Sequence, residues 1–316
     1  MVAKTTITRH PLFPVPSKKR GLWERMTRPD GIALTCHAKI NLFLHVNGKR
    51  EDGYHDLQSW VAFAEVGDNI RVRDAKQYHL VGEGPFAHLL PAMEDNLITK
   101  TVMLLADRHK QKPNVIVELT KNLPVGTGLG GGSSNAAAVA RALQYMWGFE
   151  WEADDAEWLT KKLGADVPAC LFARAAMVEG IGEKIIPTPD MPENCHVVIV
   201  YPGIGLETAE VFAMLTPPYT PHVEIFPEAN DVFDLVKQLQ DTRNDLMHPA
   251  IGLQPRILEA YRAITRQSGC LLGRMTGSGS ACFGIFASDE AARAAATVIR
   301  QQEPKWWVRA TRFLTN

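Results

Sequence analysis

Residues 123–136 read Leu-Pro-Val-Gly-Thr-Gly-Leu-Gly-Gly-Gly-Ser-Ser-Asn-Ala, and the fold turns on how they are interpreted. Five glycines fall within seven positions, ahead of an alanine-rich run with helical spacing. Glycine lets the backbone turn its N–H groups towards a ligand and approach it closely. A helix starting directly behind adds unpaired N–H donors and the positive end of its dipole. The combination suits a polyphosphate, so nucleotide chemistry is the first expectation.

Two better-known nucleotide loops fit less well. Gly126, Gly128 and Gly131 satisfy G-x-G-x-x-G, and Glu150 follows about twenty residues on, as a dinucleotide fingerprint requires. In that fold the acidic residue ends a second strand, whereas 151–163 (Trp-Glu-Ala-Asp-Asp-Ala-Glu-Trp-Leu-Thr-Lys-Lys-Leu) reads as a helix. A Walker loop carries a lysine after its last glycine, and none follows here. The protein-kinase signatures H-R-D and D-F-G are also missing. A kinase built on this loop must therefore draw its cation and its base from elsewhere. The plain alternative is a structural glycine turn at a helix start.

Working outward, 115–119 is a short β-branched strand leading into the loop, and 96–110 has helical spacing. Upstream, 40–46 reads as a strand, and 60–65 and 69–73 as two more separated by Gly67-Asp68. Downstream, a helix over 134–147 places Ala136, Val139, Ala140, Leu143, Met146 and Trp147 on one face, with Gly148 as its stop. A charged helix over 154–163 is interrupted by Gly164-Ala165-Asp166-Val167-Pro168. The proline-rich run 187–192 is the strongest internal boundary signal and divides 31–190 from 191–316. A strand at 177–179 precedes it, and beyond it come a strand at 196–201, helices near 207–215, 230–240 and 254–268, a proline-rich loop at 217–229, a glycine turn at 276–280, a strand at 281–286 and a last helix from Glu290.

A chain of 316 residues suggests roughly two domains. Hydrophobic content of 46% with 22% charged residues is that of an ordinary globular protein with a sizeable core. A net charge of −1 provides no general drive towards nucleic acid or membrane. The five cysteines are scattered without a C-x-x-C pair, which points to a reduced, cytoplasmic setting and away from structural zinc. No apolar run reaches the length of a membrane span. Residues 1–30 are basic and proline-rich and read as a flexible extension, with an organelle transit peptide as the sharper alternative.

Two further segments match the loop in character. One is Ala38-Lys39-Ile40-Asn41-Leu42-Phe43-Leu44 followed by Asp52-Gly53-Tyr54-His55, and the other is Thr276-Gly277-Ser278-Gly279-Ser280-Ala281-Cys282. Together with the glycine loop and Gly164-Ala165-Asp166-Val167-Pro168, they resemble the ordered motifs of the GHMP small-molecule kinases, from about residue 33 to the C-terminus. The third motif departs from the commoner T-G-T-G-A-C and S-G-S-G-P forms but keeps both glycines.

The resemblance implies a two-domain α+β GHMP kinase fold. An N-terminal β-α-β nucleotide-binding domain would join a C-terminal ferredoxin-like α/β sandwich, with the active site in the cleft between them. It implies ATP and Mg²⁺ as cofactors and phosphorylation of the 2-hydroxyl of a cytidine-diphosphate-linked methylerythritol, in the non-mevalonate isoprenoid pathway. Asp166 would be the base and Lys39 its partner, keeping the carboxylate ionised and stabilising the transferring phosphoryl group. The bland roles are a turn or cap for Asp166 and a solvated strand-end lysine for Lys39.

Pro124, Val125, Gly126, Thr127, Gly128, Leu129, Gly130, Gly131, Gly132, Ser133 and Ser134 would wrap the triphosphate, with Asn96 near the nucleotide. Tyr54 and His55 would read the cytosine, with Phe212 as a second stacking ring. Asn41, Thr208, Gly277 and Gly279 are further substrate contacts by resemblance. The metal ligands stay open, with Ser134 as a candidate Mg²⁺ contact. The expected partner is a small molecule, with no nucleic acid or membrane, for a monomer or weak homodimer. The competing readings are a mevalonate- or homoserine-type kinase and a catalytically silent ligand sensor of the same fold.

Overall fold

The computed structural model describes residues 27–28, 31–152, 154–224 and 228–315. The frame of the first half is a long hairpin. Strand β1 (Thr27–Arg28) pairs with the start of β2 (Gly31–Lys49), and β2 pairs along its length with β3 (His55–Asp74). Part of the extension expected to be flexible is thus strand, while residues 1–26 lie outside the described residues. The hairpin turn is closed by Arg50 N donating to the Tyr54 carbonyl at 2.8 Å and by Tyr54 N donating to Asp52 Oδ1 at 3.1 Å, an Asx turn.

The chain continues through β4 (His79–Glu83), α1 (Leu97–Arg108), β5 (Val115–Thr120), α2 (Gly131–Trp147), α3 (Asp155–Leu163), α4 (Val167–Phe172), β6 (Ala176–Gly180) and β7 (Lys184–Pro187). The first sheet runs β1-β2-β3-β5-β4. Strand β6 also pairs with β3 and carries β7. Val115, Val117 and Leu119 of β5 and Ile70 and Val72 of β3 pack against α1 and the alanine face of α2.

The second half holds β8 (His196–Tyr201), α5 (Thr208–Ala213), α6 (Val232–Leu239), α7 (Met247–Leu253), α8 (Arg256–Thr265), β9 (Cys270–Met275), β10 (Cys282–Phe286), α9 (Asp289–Gln302) and β11 (Trp307–Arg312). Its sheet has the order β11-β8-β10-β9, all antiparallel, which is the ferredoxin-like β-α-β-β-α-β arrangement. Strand alternation assigns its two faces. Val198 and Val200 of β8 meet Ile257, Ala260 and Ile264 of α8 and Ala292, Ala296 and Ile299 of α9. Val197 and Ile199, with Phe283 and Ile285 of β10, meet Ile40, Leu42, Trp60 and Ala62 of the first sheet in one continuous core.

Arg274 reinforces that junction from a buried position. Its Nη1 donates to the Leu42 carbonyl and to Thr242 Oγ1, both at 2.7 Å, and Nη2 to the Thr242 carbonyl at 2.5 Å and to that of Leu239. Carbonyl oxygens at the end of α6 thus replace the carboxylate that a buried guanidinium usually needs. Burial lowers its pKa to about 10, so it remains charged at neutral pH.

The strands expected at 60–65 and 69–73 are one strand. Gly67-Asp68 is not a turn. The register against β2 shifts between His37 and Ala38, so Glu65 and Val66 form a bulge and pairing resumes at Gly67. Asp68 is fully buried and accepts from Lys121 Nζ, from Asn122 N at 2.7 Å and from Leu123 N at 2.8 Å. It therefore anchors the corner where β5 leaves the sheet and the glycine loop begins. An Asp68→Asn variant leaves the Lys121 ammonium buried without a counter-charge. The expected loss of stability is about 3–5 kcal/mol, read as a lower midpoint in urea unfolding; an unchanged midpoint would refute the anchoring role.

Candidate active site

The glycine loop lies over β2 and against the loop between β9 and β10. Ala281 N donates to the Thr127 carbonyl at 3.0 Å, and Asn41 N to Thr276 Oγ1 at 2.9 Å. Gly128 has φ +75°, and a Cβ there would collide with the Thr276 carbonyl; one on Gly277 would lie 2.7 Å from the Gly128 carbonyl. The two loops touch backbone to backbone, which side chains would prevent. Asn244 holds the second loop by donating through Nδ2 to the Met275 and Gly277 carbonyls at 2.8 Å each.

Helix α2 starts at Gly131, earlier than its sequence spacing suggests. Its N-cap, Gly130, has φ +63° and supplies no side-chain cap. The N–H groups of the first turn are left for a ligand, and Gly130, Gly131, Gly132 and Ser133 line a cavity of about 1000 Å³. Pro124, Val125, Gly126, Thr127 and Gly128 continue the same wall.

Gly130 has a second consequence, because a Cβ on it would lie 3.1 Å from Lys39 Cβ and 3.2 Å from Cε. Its absence opens the channel in which the lysine stem lies. Lys39, 3% exposed, emerges to donate to Asp166 Oδ1 at 2.6 Å and to Asn41 Oδ1 at 3.0 Å. Asn41 Nδ2 donates in turn to Ser59 Oγ at 2.8 Å, and Ser59 Oγ to the Phe43 carbonyl at 2.5 Å. Asp166 stands at the N-cap of α4 without capping it with its side chain. Its carboxylate is turned to Lys39 and is 43% exposed, so a ligand can reach it.

Tyr54, His55, Thr208 and Phe212 line the same cavity. The His55 and Phe212 rings are 5.2 Å apart at 33°, and Tyr219 approaches His55 edge-on at 6.1 Å. Burial, with the Lys49 ammonium adding to it, lowers the His55 pKa and keeps its ring neutral at pH 7. Thr208 Oγ1 and Ser278 Oγ are 2.9 Å apart, joining α5 to the 276–280 turn. Asn96 also lines the cavity and caps α1, accepting from Ile98 N at 2.9 Å.

Of the residues singled out from sequence, Ser134, Leu129 and Gly279 do not line the cavity. Ser134, the fourth residue of α2, is buried, does not line the cavity, and donates to the His37 carbonyl at 2.8 Å, so its hydroxyl faces the core and not a metal in the cavity. Ser133, one residue earlier, faces the cavity. Leu129 is fully buried in the core, and Gly279 packs against Met275 Sδ and Leu206. Gly277 does line the cavity. Sequence reasoning passed over Ser59, Ser278, Tyr219 and Lys121. Ser278 was within a quoted motif, whereas Lys121 carried no local signal beyond its position ahead of the loop.

Comparison with known proteins agrees with this geometry. The GHMP kinases N terminal domain matches residues 96–174, and the GHMP kinases C terminal domain matches 227–305. A 4-diphosphocytidyl-2-C-methyl-D-erythritol kinase of Cereibacter sphaeroides (strain KD131) is 43% identical over 280 residues, 88% of this chain and 98% of the relative. One from Parvibaculum lavamentivorans is 42% identical, covering 86% and 95%. A crystal structure of 4-(cytidine 5'-diphospho)-2C-methyl-D-erythritol kinase superposes with a TM-score of 0.69 at 30% identity, covering 89% of this chain and 99% of that one. A homoserine kinase from Cytophaga hutchinsonii, 18% identical with a TM-score of 0.66 over 91% and 96%, shares the fold.

Proposed function

This chain belongs to the GHMP kinase family, and on that premise we propose that it transfers the γ-phosphoryl group of ATP to the 2-hydroxyl of 4-diphosphocytidyl-2-C-methyl-D-erythritol, giving the 2-phosphate and ADP. The observation that carries the reaction type is the Lys39–Asp166 pair at 2.6 Å, in one cavity with the uncapped start of α2. The substrate comes from the relatives, which carry that substrate in their names at over 40% identity across nearly their whole length.

The residues divide the work as follows. The N–H groups of Gly131, Gly132 and Ser133 hold phosphate oxygens with the dipole of α2 behind them. Asp166 orients the acceptor hydroxyl and takes its proton as the O–P bond forms. Lys39, fixed by Asn41, holds that carboxylate in place and lies where negative charge grows on the transferring group. Tyr54, His55 and Phe212 receive the cytosine. Because His55 is neutral, one ring nitrogen donates and the other accepts. The units 31–190 and 191–316 both contribute to the site, the second through Thr208, Phe212 and Gly277.

A Mg²⁺ ion bound with the triphosphate beside Ser133 would supply charge neutralisation for the transfer. The donor set fits a cation held mainly by phosphate and water, as is usual for Mg²⁺. Ser133 supplies the available hydroxyl, and no group of three or more metal-ligating side chains exists among the described residues.

The test is turnover of purified protein with ATP and Mg²⁺ on the cytidine substrate, mevalonate and homoserine. Product is expected from the first alone. Tyr54→Ala should raise KM for the cytidine substrate about tenfold, the worth of one lost base–aromatic stack, with KM for ATP unchanged. Phosphorylation of mevalonate or homoserine in its place would overturn the assignment.

A further inference from the structure

Three lysines line the cavity: Lys39, Lys49 and Lys121. Two are committed within the protein, Lys39 to Asp166 and Lys121 to Asp68. Lys49 has no acidic partner among the described residues. Of the carboxylates nearest to it in sequence, Glu51, Asp52 and Asp56, none forms an ion pair with Lys49, and the last two are bonded by Arg50, at 3.2 and 3.3 Å. An ammonium on a cavity wall without a counter-ion is a standing site for an anion.

Its place in the fold says which anion. Lys49 is the last residue of β2 and the direct cross-strand partner of His55, the first residue of β3. Both side chains line the cavity, and the ammonium is close enough to depress protonation of the His55 ring, second to burial. Lys49 therefore serves the end of the cavity where Tyr54, His55 and Phe212 gather. The start of α2 is a separate wall, with Lys121 Nζ 3.1 Å from where a Gly131 Cβ would be. A ligand that stacks a base on the rings carries its linker away from them within the cavity, and Lys49, beside His55, is the lining lysine that no carboxylate holds. In a nucleotide-linked acceptor that linker is a diphosphate.

We propose that Lys49 binds the diphosphate linker of the acceptor substrate and selects nucleoside-diphosphate-linked alcohols over uncharged ones. The proposal rests on the function assigned above and adds to it a charge contact that base stacking does not supply. A bonded charged group accounts for a preference of about tenfold or more. Arginine at this position should retain most of that preference, and methionine, of similar length without the charge, should not.

The experiment is equilibrium binding of cytidine, CMP and CDP to the full chain without ATP, for the wild type, Lys49→Met and Lys49→Arg. Wild type should bind CDP about tenfold more tightly than cytidine, and the advantage should shrink as salt is raised. In Lys49→Met the advantage should fall below about threefold, with cytidine itself bound as before, and Lys49→Arg should restore it. In turnover, the loss should enter KM for the cytidine substrate and leave KM for ATP unmoved. If Lys49→Met keeps the full CDP advantage while wild type binds cytidine, the Lys49 contact is wrong and the function stands. If wild type binds none of the three ligands, the cytidine assignment falls and the Lys49 contact falls with it.

Discussion

Replacing Asp166 with asparagine should lower kcat about 100- to 10,000-fold, the range for loss of a positioned general base. The change is nearly isosteric, and the amide oxygen still accepts from Lys39 Nζ. What it removes is the capacity to take the hydroxyl proton. Lys39 is only 3% exposed, so the loss of its counter-charge should lower the melting temperature, but by less than at Asp68, because Asp166 is 43% exposed and solvent reaches that side of the pair. KM for ATP should also hold, since the glycine loop does not depend on this carboxylate. Full turnover by Asp166→Asn, measured in a coupled ADP-release assay, would remove Asp166 from the chemistry.

Lys39→Met should cost about 100- to 1000-fold in kcat, the usual effect of deleting one group aimed at transition-state charge. Methionine fills the channel under Gly130, so the cradle should keep its shape and bind ATP. Asn41 loses the ammonium but keeps Thr276 Oγ1 within 3.5 Å and Ser59 at 2.8 Å. Lys39 acts on the reaction partly through Asp166, so the double variant should be little worse than the slower single one. A double variant slower by the product of both factors would mean that the two groups act separately.

Much of the site could be read because its signals are local. Glycines directly before an alanine-rich helix are a local signal for an uncapped helix start that can take an anion, and Lys39 and Asp166 lie inside short motifs. Asp68 was misread for the same reason. Gly-Asp between two apolar runs is a turn by every local rule, and its partner Lys121 is 53 residues away. Ser133 and Ser134 show a subtler limit. Glycine disfavours helix, which pushed the expected start of α2 to Ser134, yet tertiary contacts carry it back to Gly131 and rotate Ser134 into the core. Strands β9 and β11 gave no distinct period, since short apolar runs beside helices are ambiguous until a sheet claims them.

The common core beneath the two sheets bears on how this enzyme can be recombined. Ile40, Leu42 and Trp60 on one side and Val197, Ile199 and Phe283 on the other are fully or almost fully buried against one another. Interiors are packed to near-crystalline density, so their shapes are matched as a set. A chimera joined between Pro187 and His196, with each half taken from a different relative, would inherit two surfaces that were never fitted together. Exchange of substrate preference between relatives is better sought in the 49–55 hairpin end and the α5 region, which reach the cavity from outside that packed layer.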